Sequence, residues 1–216
     1  MNPPAGQELS EFANTLIHSR HNVLPRRLDE PGPGGQQLQD ILGAAAAAPD
    51  HGRLLPWRFV VVAAARRERL AEVFAQALVE RDSSATPEQV ENAREKAYRA
   101  PFLMLAIARL TDREALAPSA PARRVHHPAS TELQVGAAER LVSLGCAIQN
   151  ILLSAHAAGF GTGLTSGQAM DSEPLRALFG LRANEQAVCC INIGTVSKHK
   201  PPLLRPGVSD YVTELT

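Results

Sequence analysis

The chain has 216 residues, 44% of them hydrophobic, so it can bury one substantial core and suits a single domain over residues 1–216. Basic and acidic residues number 22 each, and this balance leaves no basic field to attract nucleic acid. The start, MNPPAGQELSEF, lacks the basic and apolar regions of a secretory signal, which predicts a cytoplasmic protein.

The cysteines and histidines predict neither a disulfide framework nor a metal site. Cys146, Cys189 and Cys190 lie in apolar runs, and an odd number with one adjacent pair favours buried, reduced thiols. The seven histidines do not have ligand spacings. A P-loop and a G-x-S-x-G elbow are also missing from the sequence, so hydrolase and nucleotidase functions lose their usual support.

One uncharged stretch, residues 141–170, is long enough to raise the question of a membrane span. Polar residues interrupt it at Gln149, Asn150 and His156, and three glycines follow within it. A helix buried in a globular core explains the same pattern, so we expect no membrane association.

Hydrophobic periodicity in the first half of the chain predicts four helices and two strands. Pro49 stops the second helix. Thr86, Pro87 and Gln89 provide a cap, a first-turn proline and a capping-box partner for a polar fourth helix. Short runs of β-branched and aromatic residues predict strands buried on both faces. The predicted elements are helices at 7–18, 36–47, around 70–78 and 87–98, and strands at 57–63 and 102–110.

The second half begins with an exposed loop at 112–130, which is placed where it could close over a bound molecule. A long helix at about 131–157 follows, and then a glycine-rich turn, a short strand and a short helix ending at Gly180. A last buried strand covers 187–194. Because strands and helices do not alternate strictly, we predict an α+β fold with a small mixed central sheet and helices on both faces.

Four segments could carry chemistry, and each also has an ordinary structural explanation. Residues 19–22, SRHN, suit a phosphate, although helix ends also favour Arg and His. The Pro-bounded loop 48–57 could aim donors at a ligand or simply stop a helix. The glycines of 159–167 would let a ligand approach the backbone, but they follow a helix and make a weak dinucleotide fingerprint. Lys198 and Lys200 would suit a phosphate or keep the tail soluble.

In this order, the four segments resemble the nitroreductase family. S-R-H-N-V is similar to the family's opening S-R-R-S-V, and residues 41–62 resemble its alanine-rich helix, A-P-D-H turn, P-W pair and strand. Residues 145–162 resemble its long helix and glycine turn, and INIGTVSKHKPP resembles its closing strand and basic tail. The resemblance covers about 12–205 and is closest to the family's small, single-domain branch.

The resemblance implies a homodimer with two FMN sites at the subunit interface, NAD(P)H as the electron donor, and a C-terminal tail, residues 195–216, that packs on the partner subunit. On this analogy Arg20, His21 and Asn22 would hold the FMN phosphate and ribityl chain. Lys198 or Lys200 would reinforce the phosphate contact.

The other implied contacts come from two loops. Ala47 and His51 would touch FMN, across the dimer. Leu164, Thr165 and Ser166 would lie along the flavin, with backbone donors near its N5 edge. The resemblance implies no catalytic side chain, because the flavin carries the chemistry and the protein positions it.

The sequence departs from the family at the predicted site. His21 and Asn22 replace the usual Arg and Ser, and residues 24–25 look inserted, which would rearrange the phosphate contacts. Leu164 and Thr165 replace the Trp and Arg that close relatives often carry, which would change the shape and charge of the pocket and hence the acceptor.

Several functions are compatible with this pattern. The leading hypothesis is FMN-dependent electron transfer from NAD(P)H to a small acceptor such as a nitroaromatic or a quinone. A relative that fragments flavin would accumulate the fragmentation product under oxygen, and a dehalogenating relative would release halide. A flavin-binding protein with little turnover would fail to oxidise NADPH with a quinone, and a domain without cofactor would ignore added FMN.

Overall fold

The computed structural model describes residues 6–110, 135–198, 201 and 204–215, in which a five-stranded sheet lies between two layers of helices. The helices are α1 (Gly6–Ser19), α2 (Gly35–Gly43), α3 (Arg67–Arg81), α4 (Pro87–Glu95), α5 (Ala137–Ala157) and α6 (Glu173–Phe179). The strands are β1 (Leu28–Asp29), β2 (Trp57–Val61), β3 (Phe102–Arg109), β4 (Gly161–Thr165) and β5 (Glu185–Val196). Short 3-10 turns include Ala44–Ala47, His51–Arg53, Lys96–Tyr98 and Gln168–Asp171.

The strands are ordered β1-β5-β3-β2, and β4 also pairs with β5. The α+β class is confirmed, but every strand pair in the described chain is antiparallel, where we expected a mixed sheet. The connection between β2 and β3 shows why this pair is antiparallel. Helices α3 and α4 of this connection pack against each other, so the chain re-enters the sheet at the end where it left β2. An isolated parallel bridge joins Asn22 to Thr162.

Strand β3 divides the core in two because its side chains alternate between the faces of the sheet. Leu103, Leu105 and Ile107 face the layer that contains α3 and α4. Met104 and Ala106 face the layer that contains α2 and α5. Strand β3 therefore contributes side chains to the cores under both helical layers.

The predicted elements are confirmed with three differences. Strand β2 is an edge strand, so it is only half-buried and Val61 is 47% exposed. Helix α5 begins at Ala137 because Gly136 is its N-cap and the Gly136 N–H donates to the side chain of Glu139 at 3.0 Å. Strand β1 is too short to show a pattern and was not predicted. The loop predicted at 112–130 lies outside the described residues.

The first helix leaves its apolar face uncovered. Leu9, Phe12 and Ile17 are all exposed in the single chain, and Phe12 keeps 61% of its surface. An amphipathic helix normally buries this face, so α1 offers a surface for a further partner. None of the described helices is both long enough and apolar enough to cross a membrane.

An ion pair between the half-buried Arg58 and the buried Glu185 links β2 to β5. The guanidinium of Arg58 donates two hydrogen bonds of 2.8 Å to the Glu185 carboxylate, which also accepts from the Arg182 N–H at 3.1 Å. Burial alone would raise the pKa of Glu185. The hydrogen bonds from Arg58 and Arg182, with the charges of Arg58 and Arg109, outweigh burial and lower that pKa to about 2.

We expect Glu185→Gln to lower the free energy of unfolding by about 2 kcal/mol at neutral pH, because it leaves the half-buried Arg58 without its counter-charge. Urea unfolding measures the loss, and Glu173→Gln is the control since Glu173 is highly exposed. The folded pKa lies below the ordinary value of 4.5, so the contribution is complete above that pH and disappears as the pH falls towards 2. Equal losses in the two variants would contradict the account.

Candidate functional site

A cavity of about 430 Å³ lies just beyond the end of α1. Its walls come from the segment that follows α1, the C-terminal end of α5 with its glycine turn, and the residues around the end of β5. The lining consists of residues 19–24, Arg27, His156, residues 159–162, Val196, Lys198 and Pro201.

The charges around this first cavity are of one sign. Arg20, Arg27 and Lys198 line it together with the imidazoles of His21 and His156. Within the described chain, its lining includes no Asp or Glu. Cations grouped without carboxylates raise the local potential and attract anions. The cavity is therefore suited to an anionic group such as a phosphate.

Burial and neighbouring positive charge lower the pKa of two groups at this cavity. Burial and the nearby charge of Arg205 lower the pKa of the Arg20 guanidinium. Burial, Arg20 and His21 lower the pKa of His156, whose Nε2 lies 2.7 Å from the Ser19 Oγ. These shifts have the sign expected of positive groups that lack a counter-charge, and an anion in the cavity would reverse the electrostatic part.

The segment after α1 is held against β4 by backbone contacts. The Val23 N–H donates to the Thr162 carbonyl at 2.8 Å, and the Leu164 N–H donates to the Asn22 Oδ1 at 3.1 Å. Because the segment is fixed at Asn22 and Val23, the preceding Arg20 is placed at the cavity wall.

The glycines of β4 make this close approach possible. A methyl group at Gly163 would collide with the Val23 carbonyl oxygen, and one at Gly161 would collide with the side chains of Val196 and Leu28. We expected these glycines to admit a ligand to the backbone. At these two positions the chain itself fills the space. Gly163 lets the segment lie against β4, and Gly161 makes room for side chains of β5 and β1.

The C-terminal tail also reaches this region. The Arg205 guanidinium donates to the carbonyls of His18 at 3.1 Å and Arg20 at 2.9 Å, which satisfies carbonyls at the C-terminal end of α1. Three residues of this region, Arg205, Arg27 and His156, were not predicted from the sequence. His156 could have been found, because it is the imidazole at the end of the long helix before the glycine turn, whereas nothing local distinguishes Arg205 or Arg27.

A second cavity of about 430 Å³ lies on the α3 and α4 side of the sheet. Thr165 and Ser166, at the end of β4, line it, as does Pro25. Val23 and Leu24 line the first cavity. The segment after α1 therefore borders both cavities, and Leu164 lies on β4 beside it.

The loop after α2 stands apart from both cavities. Ala47 and His51 are exposed and line neither one. The His51 Nδ1 lies 3.3 Å from Glu139 at the start of α5. The carboxylate of Asp50 accepts hydrogen bonds from two later N–H groups of the loop, at 3.0 and 2.8 Å, so the loop has a defined shape.

The predicted site residues are thus distributed over several places. The first cavity contains Arg20, His21, Asn22 and Lys198, the second contains Thr165 and Ser166, and Leu164 lies on the adjoining strand. Ala47 and His51 lie elsewhere on the single chain, and Lys200 lies outside the described residues. Across the described ranges, no group of three His, Cys, Asp or Glu residues could hold a metal ion.

The fold is α+β, and its cation-lined cavity lies where the segment after α1 meets β4. The profile of the nitroreductase family matches residues 19–195, and the chain belongs to this family. Membership identifies the chain as an oxidoreductase. A Haemophilus influenzae relative is 30% identical over 204 residues, covering 94% of this chain and 99% of its own. Escherichia coli YdjA is 31% identical over 169 residues, with 78% and 81% covered. Both are provisionally named NAD(P)H nitroreductases.

Solved structures show the same fold. A nitroreductase-like family protein from Bacillus cereus superimposes with a TM-score of 0.73 at 16% identity, covering 100% of this chain and 98% of its own. The FMN-dependent nitroreductase NfnB from Mycobacterium smegmatis, solved in complex with NADPH, gives 0.67 at 17% identity, with 96% and 100% covered.

We expect Gly163→Ala to lower the free energy of unfolding by about 1–3 kcal/mol, because its methyl group must push the Val23 carbonyl away from β4. Urea unfolding measures the change. Gly43→Ala is the matched control, since a Cβ there meets no atom within 4 Å and alanine suits a helix. Stability that is unchanged at position 163 would show that the segment does not depend on this close contact.

Proposed function

We propose that this oxidoreductase binds FMN and passes electrons from NAD(P)H to a small acceptor such as a nitroaromatic or a quinone. The supporting observation is the first cavity, where three cations surround one space and no described lining residue is acidic. The FMN phosphate carries nearly two negative charges and requires cations and hydrogen-bond donors of this kind. The complex of NfnB with NADPH, an FMN-dependent protein of the same fold, supports the same donor and cofactor.

The residues of the first cavity fit the polar end of FMN. Arg20 and Lys198 bind the phosphate with His21, and Lys200 reinforces them in this proposal. Asn22 uses its Oδ1 for the Leu164 N–H, and its amide NH2 has no partner in the described chain, so it can donate to the ribityl chain.

The flavin ring is assigned to the end of β4. Leu164, Thr165 and Ser166 continue the strand from the first cavity to the edge of the second, so a ligand anchored by its phosphate can extend along them. Strand β4 is held on its other side by β5, where the buried Asn192 donates to the Gly163 carbonyl and the Thr165 Oγ1, both at 3.1 Å. This support fixes the backbone that faces the ring.

No side chain is assigned a chemical step. Bound FMN supplies the exchange of electrons and hydride, so the protein has to bind, orient and exclude water. Burial raises the pKa of Cys189 to about 11 and that of Cys190 to about 12, which keeps both thiols protonated. The Ser19 and His156 pair lacks a carboxylate partner for the imidazole among the described residues, so it does not form a hydrolytic triad.

The proposed active form is a homodimer. The exposed apolar face of α1 and the exposed Val208, Tyr211 and Val212 of the tail are surfaces that a second copy could bury. In this arrangement the tail packs on the partner subunit. Ala47 and His51, which line neither cavity and are exposed on the single chain, would reach the flavin of the other subunit.

We expect Arg20→Gln to weaken FMN binding about ten- to a hundredfold, because a charge-assisted hydrogen bond to the phosphate is lost. Riboflavin has the same ring without the phosphate, so its affinity should be unchanged. Fluorescence titration with both ligands measures the difference. Arg26→Gln is the control, since the exposed Arg26 lines neither cavity. An equal loss for FMN and riboflavin would contradict phosphate binding at Arg20.

Mixed dimers test whether His51 acts across the interface. If Arg20 and His51 serve one site from different subunits, an Arg20→Gln subunit paired with a His51→Ala subunit keeps one intact site and one doubly altered site. We therefore expect co-expressed, doubly tagged mixed dimers to regain about half of the high-affinity FMN sites. If every site in the mixed dimer stays impaired, the two residues belong to the same subunit's site.

A further inference from the structure

The second cavity has an apolar floor. Phe74, Leu103, Met170 and Cys190 line it and are all buried. Its volume of about 430 Å³ is large enough for a molecule of one or two rings. Its wall is completed by Thr165 and Ser166, the residues assigned above to the flavin ring.

The rim of this cavity is cationic. Arg81, Lys96 and Arg99 line it, and the lining contains no Asp or Glu within the described chain. Arg99 lies 3.9 Å from Glu95 and donates to the Asn92 carbonyl at 3.3 Å. Arg81 and Lys96 have no hydrogen-bond or ion-pair partner among the described residues. Burial, Arg99 and Arg81 lower the pKa of Lys96, as expected where positive groups are crowded.

The preference of helix C-termini for cations explains only part of this grouping of cations. Arg81 ends α3, and Lys96 begins the 3-10 turn after α4, positions where the helix dipole favours a cation. That preference explains each residue separately. It does not explain why cations from different helices meet over one apolar floor, or why acidic residues, which are numerous on these helices, do not line the cavity.

We propose that the second cavity binds the electron acceptor, and that the acceptor is an aromatic molecule with a carboxylate or similar oxyanion. The proposal rests on the function proposed above. The apolar floor accepts the ring, and Arg81, Lys96 and Arg99 accept the anionic group. Because Thr165 and Ser166 form the shared wall, the bound ring lies beside the flavin, as electron transfer requires.

The probes are para-nitrobenzoate and its methyl ester, which share the ring and the nitro group and differ in charge. The quantity measured is kcat/KM for the acid divided by kcat/KM for the ester. We expect this ratio to fall about tenfold in Arg81→Gln and in Lys96→Gln, the equivalent of one lost charged contact of about 1.4 kcal/mol. Arg69→Gln is the control, because Arg69 lies on α3 but lines a different cleft.

Three results would overturn the inference. In the first, the ratio is the same in the wild type, the two variants and the control. In the second, Arg81→Gln and Lys96→Gln weaken FMN binding, which would assign these cations to the cofactor. In the third, they raise the KM for NADPH and leave the ratio unchanged, which would assign them to the donor.

Calorimetric titration of both probes without NADPH separates this inference from the proposed function. Binding of para-nitrobenzoate that depends on Arg81 and Lys96, with weaker binding of the ester, supports the anionic site even if FMN binding or NADPH oxidation fails. Rapid NADPH oxidation with equal affinity for acid and ester, unaffected by either substitution, leaves the proposed function intact and overturns the anionic site.

Discussion

The segment after α1 can lie against β4 only because Gly163 has no side chain. Val23 and Asn22 then bond to the strand, and Arg20 is carried to the wall of the first cavity. The cavity, its positive charge and the path from it to the end of β4 all depend on this contact. Strand β5 supports it from behind, with its own position fixed by the central strand β3 and the two layers of core.

Both cavities are lined by several cations and, among the described residues, by no Asp or Glu. In the first, burial and Arg205 lower the pKa of Arg20, and in the second, burial and neighbouring cations lower the pKa of Lys96. Such clusters are costly in an empty protein, because like charges repel and lose solvation. A ligand with an anionic group at the first cavity and a second anionic molecule at the other would relieve this cost.

The sequence was sufficient for most of the fold, because its signals are local. Periodicity located the helices, and the capping box from Thr86 to Gln89 is present as predicted. The antiparallel pairing and the edge position of β2 could not be predicted, since they depend on how distant helices pack. The same limit applies to the site: the resemblance named Arg20 and Lys198, which share a cavity, but Arg205 reaches it through tertiary contacts that leave no local pattern.

The central claim is that this chain holds FMN and reduces it with NAD(P)H. The most direct test is the visible spectrum of the purified protein with added FMN, followed by anaerobic addition of NADPH and then of a quinone. The account predicts a bound-flavin spectrum that bleaches with NADPH and returns with the quinone. A protein that does not retain FMN would contradict the cofactor assignment, and one that retains FMN but is not bleached by NADPH would contradict the proposed activity.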